Sequence, residues 1–321
     1  MIDHVHSHPI GAPVEDTGRK RRGLSVHIAR FLLLYALLRP IALLPYGFQL
    51  AVGRALGRFA HAVAKRPRRV VRCNLVACFP ELSQAEIATL ERRHFESLGM
   101  SAIEMMFAWW GSQRRLRERV AFMGLEHYEA ARAEGHSVIF LAAHFTTMEL
   151  CGIALTMNVP DVYGVYRRYV NNPLADTVAR DGRMRAAGGL IERDDVVRMV
   201  RVLRDGKSLW FASDQLVRPD KRSVIAPFFG LPCLVHSGVC ELARLTGARV
   251  LPVLSYRLDD GTYTVEIGPP ITDFPSDDRV ADLTRVMAVV EAHARRDPAQ
   301  YMWVWRRFGR LPDGYPDIYR R

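Results

Sequence analysis

Cysteine is scarce in this chain. Five thiols, Cys73, Cys78, Cys151, Cys233 and Cys240, are scattered over 321 residues with no C-x-x-C pair. An odd, dispersed set excludes a disulfide framework and reads as reduced thiols in a cytosol-facing protein. No zinc-ligand spacing occurs, so no metal is expected. His4, His6 and His8 form the densest histidine cluster, inside a polar N-terminal stretch. G-x-S-x-G is missing, which leaves a serine nucleophile elbow unsupported. G-x-x-x-x-G-K-[ST] is missing too, and with it a P-loop. RNP boxes, zinc fingers and Gly-x-x-Gly clamps are likewise absent. Long uncharged runs are also lacking. Arg39 cuts the apolar N-terminal region into uncharged runs of 8 and 14 residues, and Pro40 and Pro45 break helical hydrogen bonding in the second. Both fall short of the roughly 18 residues of a clean spanning helix. No small-residue cleavage site follows them, which excludes a signal peptide. Low-complexity tracts and repeat periods are missing as well.

Acidic residues are outnumbered, 34 Asp+Glu against 45 Lys+Arg, for a net charge of +11. The excess points to an anionic partner. Arginine suits phosphate and carboxylate through planar, bidentate hydrogen bonding. Nucleic acid is the partner that charge alone invites, but no recognition motif supports it. It also leaves the apolar N-terminal segment without a role.

Residues 1–22 read as a disordered arm. Residues 23–65 read as membrane-associated: the broken apolar segment, then "QLAVGRALGRFAHAVAK". That helix sets Val52, Leu56, Phe59 and Val63 on one face, with Arg54, Arg58, His61 and Lys65 elsewhere. Such a basic amphipathic helix lies on anionic membrane. Basic clusters flank the apolar segment on both sides, at 19–22 and 66–72, so charge sets no orientation. Residues 66–321 are expected to form the catalytic domain. Ser83 and Glu86 make a capping box that opens a long helix through "AWW".

From about residue 136 strands alternate with helices. "SVIFLA", "DVYGVY", "SLWFA", "RVLPVLSY" and "YTVEIG" read as strands, with helices near 146–157, 173–187, 194–205, 236–247 and 277–296. The fold class is therefore α/β, a mixed, mostly parallel sheet flanked by helices. Ligand sites in such sheets form at the carboxyl ends of strands. His144, Arg167 and Asp214 each follow a strand at that end.

"LAAHFTTMEL" carries two readings. Thr146 and Glu149 fit a second capping box. Alternatively, His144 is a base and Glu149 the carboxylate that orients it. Cys151 is better read as a buried thiol.

"HFTTMELCG" resembles the H-x4-[DE] box of the lysophospholipid acyltransferase superfamily. It is most similar to the late acyltransferases of lipid A biosynthesis, the lauroyl and myristoyl transferases. The resemblance runs from about residue 28 to the C-terminus and includes "RCNLVACFPELS", "GVYRRYVNNPL", "FASDQ", "APFFG" and "QYMWVWRRFGRLPDGYPDIY". The chain departs from the family pattern at "LVHSG" after the "PFFG" loop, and at Trp305, where relatives often carry His. The resemblance implies a glycerolphosphate-acyltransferase-like fold and an O-acyltransferase at the cytosolic face of the bacterial inner membrane. The donor is expected to be acyl-acyl-carrier-protein, with no other cofactor. The expected acceptor is a hydroxyl of an anionic lipid A precursor, Kdo2-lipid IVA or similar. Another membrane lipid, a lysophospholipid or glycolipid, is the alternative acceptor. His144 and Glu149 are the expected catalytic pair, and Arg167, Asp214, Arg306 and Arg307 the expected substrate contacts. "FFG" at 228–230 is expected in the core, "HFE" at 94–96 in a structural helix, and Asp194-Asp195 at a helix start.

Overall fold

The computed structural model describes residues 40, 43–185, 187–215, 219–220, 222–312, 314–315 and 317–320. The expected polar arm, its histidine cluster and the apolar run 31–38 lie outside the described residues.

Three helices begin the described chain: α1 (Tyr46–Val63), α2 (Lys65–Cys78) and α3 (Gln84–Trp110). The Ser83 capping box forms as the sequence indicates. The Ser83 hydroxyl accepts from the Glu86 N–H, and Glu86 accepts from the Ser83 N–H at 2.8 Å. Helix α1 packs along α3 through glycine. A Cβ on Gly57 would overlap the Phe95 carbonyl, and one on Gly99 would overlap the Gly53 carbonyl. The buried face of α1 is Tyr46, Gln49, Leu50, Gly53 and Gly57. The stripe formed by Leu56, Phe59 and Val63 instead remains exposed, with Phe59 at 67%. Among the described residues no helix is long and apolar enough to cross a membrane.

The short helix α4 (Gln113–Arg117), strand β1 (Val120–Met123) and α5 (Leu125–Ala133) lead into the sheet. There follow β2 (Val138–Ala142), α6 (Met148–Asn158), β3 (Val162–Tyr166), α7 (Pro173–Met184), β4 (Gly189–Glu192), α8 (Val196–Arg204) and β5 (Ser208–Ala212). The hairpin β6 (Ser223–Phe228) and β7 (Leu231–His236) precedes α9 (Gly238–Thr246), β8 (Arg249–Arg257), β9 (Tyr263–Ile267) and α10 (Arg279–Arg296). Seven strands form one sheet in the order β1-β9-β8-β2-β5-β3-β4. Every pairing is parallel except β8 with β9. The mixed, mostly parallel sheet is the expected one.

Strand β2 shows why both faces are covered. All five of its residues are buried. Ile139 and Leu141 join a core with α2, α8, α9 and α10, whereas Val138, Phe140 and Ala142 join a second core with α6. Period-2 alternation sends neighbours to opposite faces, so both faces need apolar side chains. The hairpin was not legible as strands. Its two-residue loop, Phe229-Gly230, has φ of +54° and +70°, as a type I′ turn requires. Phe228 and Phe229 are buried in the core, as expected.

Candidate active site

Three neighbouring strands, β2, β5 and β3, end side by side at one edge of the sheet. His144, Asp214 and Arg167 follow these strands and converge on one region. A cleft of about 640 Å³ opens there, lined by His144, Arg167, Glu149 and Arg183 among others. Its walls are largely apolar: Met105, Ile153, Val162, Val165, Leu190 and Trp210.

His144 is buried, with its ring held by two contacts and its backbone by two more. Nδ1 lies 2.7 Å from Asp214 Oδ1, and the His144 backbone N–H donates to Asp214 Oδ2 at 2.9 Å. The Trp305 ring packs on the imidazole edge, 4.6 Å between centroids. The His144 carbonyl accepts from the Met302 N–H at 3.0 Å. An ionised carboxylate only accepts, so Nδ1 carries the proton and Nε2 is left as the basic nitrogen. Asp214 itself is fully buried. Burial would raise its carboxyl, but the charge and hydrogen bonds of His144, with Arg307 behind, hold it below the usual carboxylate range.

Glu149 makes its hydrogen bonds to other groups than the imidazole. Its carboxylate accepts from Arg183 through both oxygens, with Nε–Oε2 at 3.0 Å, and from Trp109 Nε1 at 2.9 Å. Burial would lower the Arg183 guanidinium, but the pairing with Glu149 outweighs it and raises it. The capping box expected of Thr146 and Glu149 also fails to form. Helix α6 starts at Met148 with Thr147 as N-cap, which puts Glu149 at the second helical position. Thr147 Oγ1 is bonded to Ser255, and Thr146 Oγ1 to Ser97. Both hydroxyls point to partners outside the helix, which has no side-chain cap.

The remaining expected contacts divide. Arg167 is exposed on the cleft wall, and Arg310 also lines the cleft. Asp214 has no exposed surface, so it meets His144 rather than a ligand. Arg307 is buried behind it and donates to the Asp214 carbonyl at 3.1 Å and the Gln215 carbonyl at 3.2 Å. Arg306 lies over the Tyr319 ring, 3.6 Å from Asp317. Neither Arg306 nor Arg307 lines the cleft, and Trp303 and Phe308 are in the core. The segment's irregular path, which buries Arg307 and both rings, cannot be read from the spacing of its residues. Arg183 and Trp109 were missed. Each sits in an ordinary helical pattern, and only the fold turns them toward Glu149. Cys151 is a buried thiol pushed up to about 12 by burial. His94 is buried in α3, and Asp195 caps α8 by accepting from the Arg198 N–H.

Comparison with known proteins gives a consistent picture. Residues 17–310 match the family described as bacterial lipid A biosynthesis acyltransferase. The chain is 34% identical to the lipid A biosynthesis lauroyltransferase of Escherichia coli (strain K12) over 278 residues, 86% of this chain and 90% of that one. It is 32% identical to the palmitoleoyltransferase of the same organism over the same shares. The myristoyltransferase is 27% identical, over 88% of this chain and 87% of its own.

Proposed function

Because the chain belongs to the bacterial lipid A biosynthesis acyltransferase family, we propose that it moves a fatty acyl group from acyl-acyl-carrier-protein to a hydroxyl of a lipid A precursor, Kdo2-lipid IVA or similar. The reaction class, O-acyl transfer in lipid A biosynthesis, follows from the family. Donor, acceptor and catalytic residues are the further reading. The observation that carries it is the 2.7 Å His144–Asp214 contact in an apolar cleft with arginine on its wall.

The chemistry follows from that geometry. Nε2 of His144 takes the proton of the acceptor hydroxyl as its oxygen attacks the thioester carbonyl carbon. Asp214 holds the tautomer and stabilises the imidazolium that forms. Collapse of the tetrahedral intermediate breaks the C–S bond, and the imidazolium returns its proton to the leaving thiolate. A thioester is already activated, so no covalent intermediate on the enzyme is required. The apolar walls suit an acyl chain, and Arg167 suits a phosphate of the acceptor. The +11 charge suits both an acidic carrier protein and an anionic lipid. The exposed Phe48, Leu56, Phe59 and Val63 of α1 suit the cytosolic face of the inner membrane.

The test is acyl transfer in detergent from purified acyl carrier protein to Kdo2-lipid IVA, read by mass spectrometry. Wild type should add one acyl mass. His144→Ala should lose about 10²–10⁴-fold in rate while keeping its melting temperature. Equal turnover by a folded His144→Ala enzyme overturns the mechanism. Transfer to a lysophospholipid but not to the lipid A precursor would reassign the acceptor.

A further inference from the structure

Beneath the His144 loop lies a buried ionic network that the reaction just described does not use. Arg257 ends β8, and Glu104 lies in the last third of α3; both are buried. Arg257 forks onto the Glu104 carboxylate through Nε and Nη2, the latter at 2.8 Å. Tyr263 of β9 donates to the same carboxylate, and Tyr46 of α1 bonds to the Tyr263 hydroxyl. On its other side Arg257 reaches the loop. Nη1 donates to Ser97 Oγ at 3.0 Å, and Ser97 Oγ is 2.8 Å from Thr146 Oγ1. Nη2 also approaches Thr146 Oγ1, at 3.4 Å.

A second clasp runs in parallel. The Gln300 side chain accepts from the Arg257 N–H at 2.9 Å and donates to the Arg257 carbonyl at 2.8 Å. The Gln300 carbonyl in turn accepts from the Thr146 N–H at 2.8 Å. Side chain and backbone of Thr146 are therefore both tied to Arg257, two residues from His144.

Burying an ion pair is costly, and well-packed apolar side chains of similar volume often stabilise a fold as well or better. Stability alone is a weak reason for this pair to be here. What the network does contribute is geometry. Residues of α3 and β8 reach one hydroxyl of a loop that has no regular structure of its own, and the tyrosines of α1 and β9 brace the ion pair behind it. A general base must be held closely, since a displacement of about 1 Å can cost roughly 10²-fold in rate.

We infer that Arg257, fixed by Glu104, is a positioning residue that sets the His144 loop through Ser97 and Thr146. This rests on the reading of His144 as the base. Thr146→Val keeps the shape of the side chain and removes its hydroxyl. It should lower kcat about 10–100-fold with both KM values within about twofold, as expected for an interaction that acts in the transition state. Thr146→Ser, which keeps the hydroxyl, should recover most of the loss. A merely structural role would lower the melting temperature and leave kcat of the folded fraction unchanged. Ser97→Ala removes the bridge from outside the loop and gives the same reading should Thr146→Val fail to fold. Wild-type kcat in folded Thr146→Val or Ser97→Ala overturns the inference. If His144→Ala is also fully active, the catalytic reading fails first; if His144→Ala is dead while these variants are normal, only the positioning role fails.

Discussion

Two carboxylates stand near one imidazole, and their partners separate their roles. Asp214 is shielded from water and receives both the ring and the backbone N–H of His144. Glu149 is committed to Arg183 and Trp109. Asp214→Asn keeps the shape but offers Nδ1 an amide N–H, which favours the unproductive tautomer. Turnover of the folded protein should fall about 10²–10⁴-fold, beyond whatever melting temperature is lost with the buried charge. Glu149→Gln should act through Arg183 instead. It leaves a partly buried guanidinium without its counter-charge, costing about 1–3 kcal/mol, below the figure for a fully buried pair because both side chains keep some exposure. Arg183→Gln should reproduce the effect, and the double variant should cost little more than either single one. Combined with Asp214→Asn, Arg183→Gln should be additive. The check is a double-mutant cycle in both melting temperature and kcat; additivity between Glu149 and Arg183 would sink the assignment. His144 and Asp214 were both visible in the sequence as polar residues at strand ends. Their pairing was not, because they are 70 residues apart and only the adjacency of β2 and β5 joins them. Glu149 looked like the partner because it is close in sequence. Closeness along the chain does not carry across a strand-to-helix turn, where α6 swings Glu149 toward α7.

At the level of elements, α1 has two apolar faces with different partners. Tyr46 and Leu50 are buried at its start, and beyond them Gly53 and Gly57 let its backbone approach α3 closely with no large side chain between. The large ones, Phe48, Leu56, Phe59 and Val63, face outward. Periodicity revealed the apolar stripe but not its direction, since hydrophobic side chains are usually the ones that pack inward. The glycine face carried no hydrophobic signal and went unread. Arg54 and Arg58 approach Glu96, and His61 bonds Glu91, so part of the basic face fastens α1 to α3. If the stripe meets a bilayer, Leu56→Asp with Phe59→Asp should reduce binding to anionic vesicles by tenfold or more, given about 1.5–3 kcal/mol for each large side chain buried. Circular dichroism and melting temperature should stay near wild type, because both side chains are exposed and outside the core. Vesicle co-sedimentation equal to wild type would remove α1 from the membrane contact. Strands β2, β3, β5, β8 and β9 were legible as apolar runs bounded by polar residues, and the helices by their 3.6-residue period. Strands β1 and β4 are only four residues each, and β6 and β7 carry Pro227 and Pro232, which argue against a strand in sequence.

For the whole molecule, acid stability is set in part by two histidines buried around the His144 loop. His293 stacks on Phe145 with centroids 3.6 Å apart, and its Nε2 donates to the Ser255 carbonyl at 3.1 Å. His94 donates from Nδ1 to the Ala299 carbonyl at 3.0 Å. Burial lowers His293 to about 3 and His94 to about 4, from an ordinary value of 6.5. Both groups are neutral in the fold, while the unfolded chain binds a proton at each once pH falls below about 6.5. Between that pH and the folded values, the unfolded state holds more protons, so stability falls as pH falls. By the time pH reaches the folded value, His94 removes roughly 3 kcal/mol and His293 roughly 4 kcal/mol. Asp214 does not blur this window. Its carboxyl is lowered by the fold, so its contribution is present above the ordinary carboxylate range and is lost only at lower pH. Melting temperature should therefore drop steeply from about pH 7 to about pH 4.5 in the wild type. His94→Gln and His293→Gln should each start lower, since a well-fitted ring is lost, but decline less across the same range. If both variants decline as steeply as the wild type, the acid sensitivity comes from other groups, and the two buried imidazoles are not what limits this fold in acid.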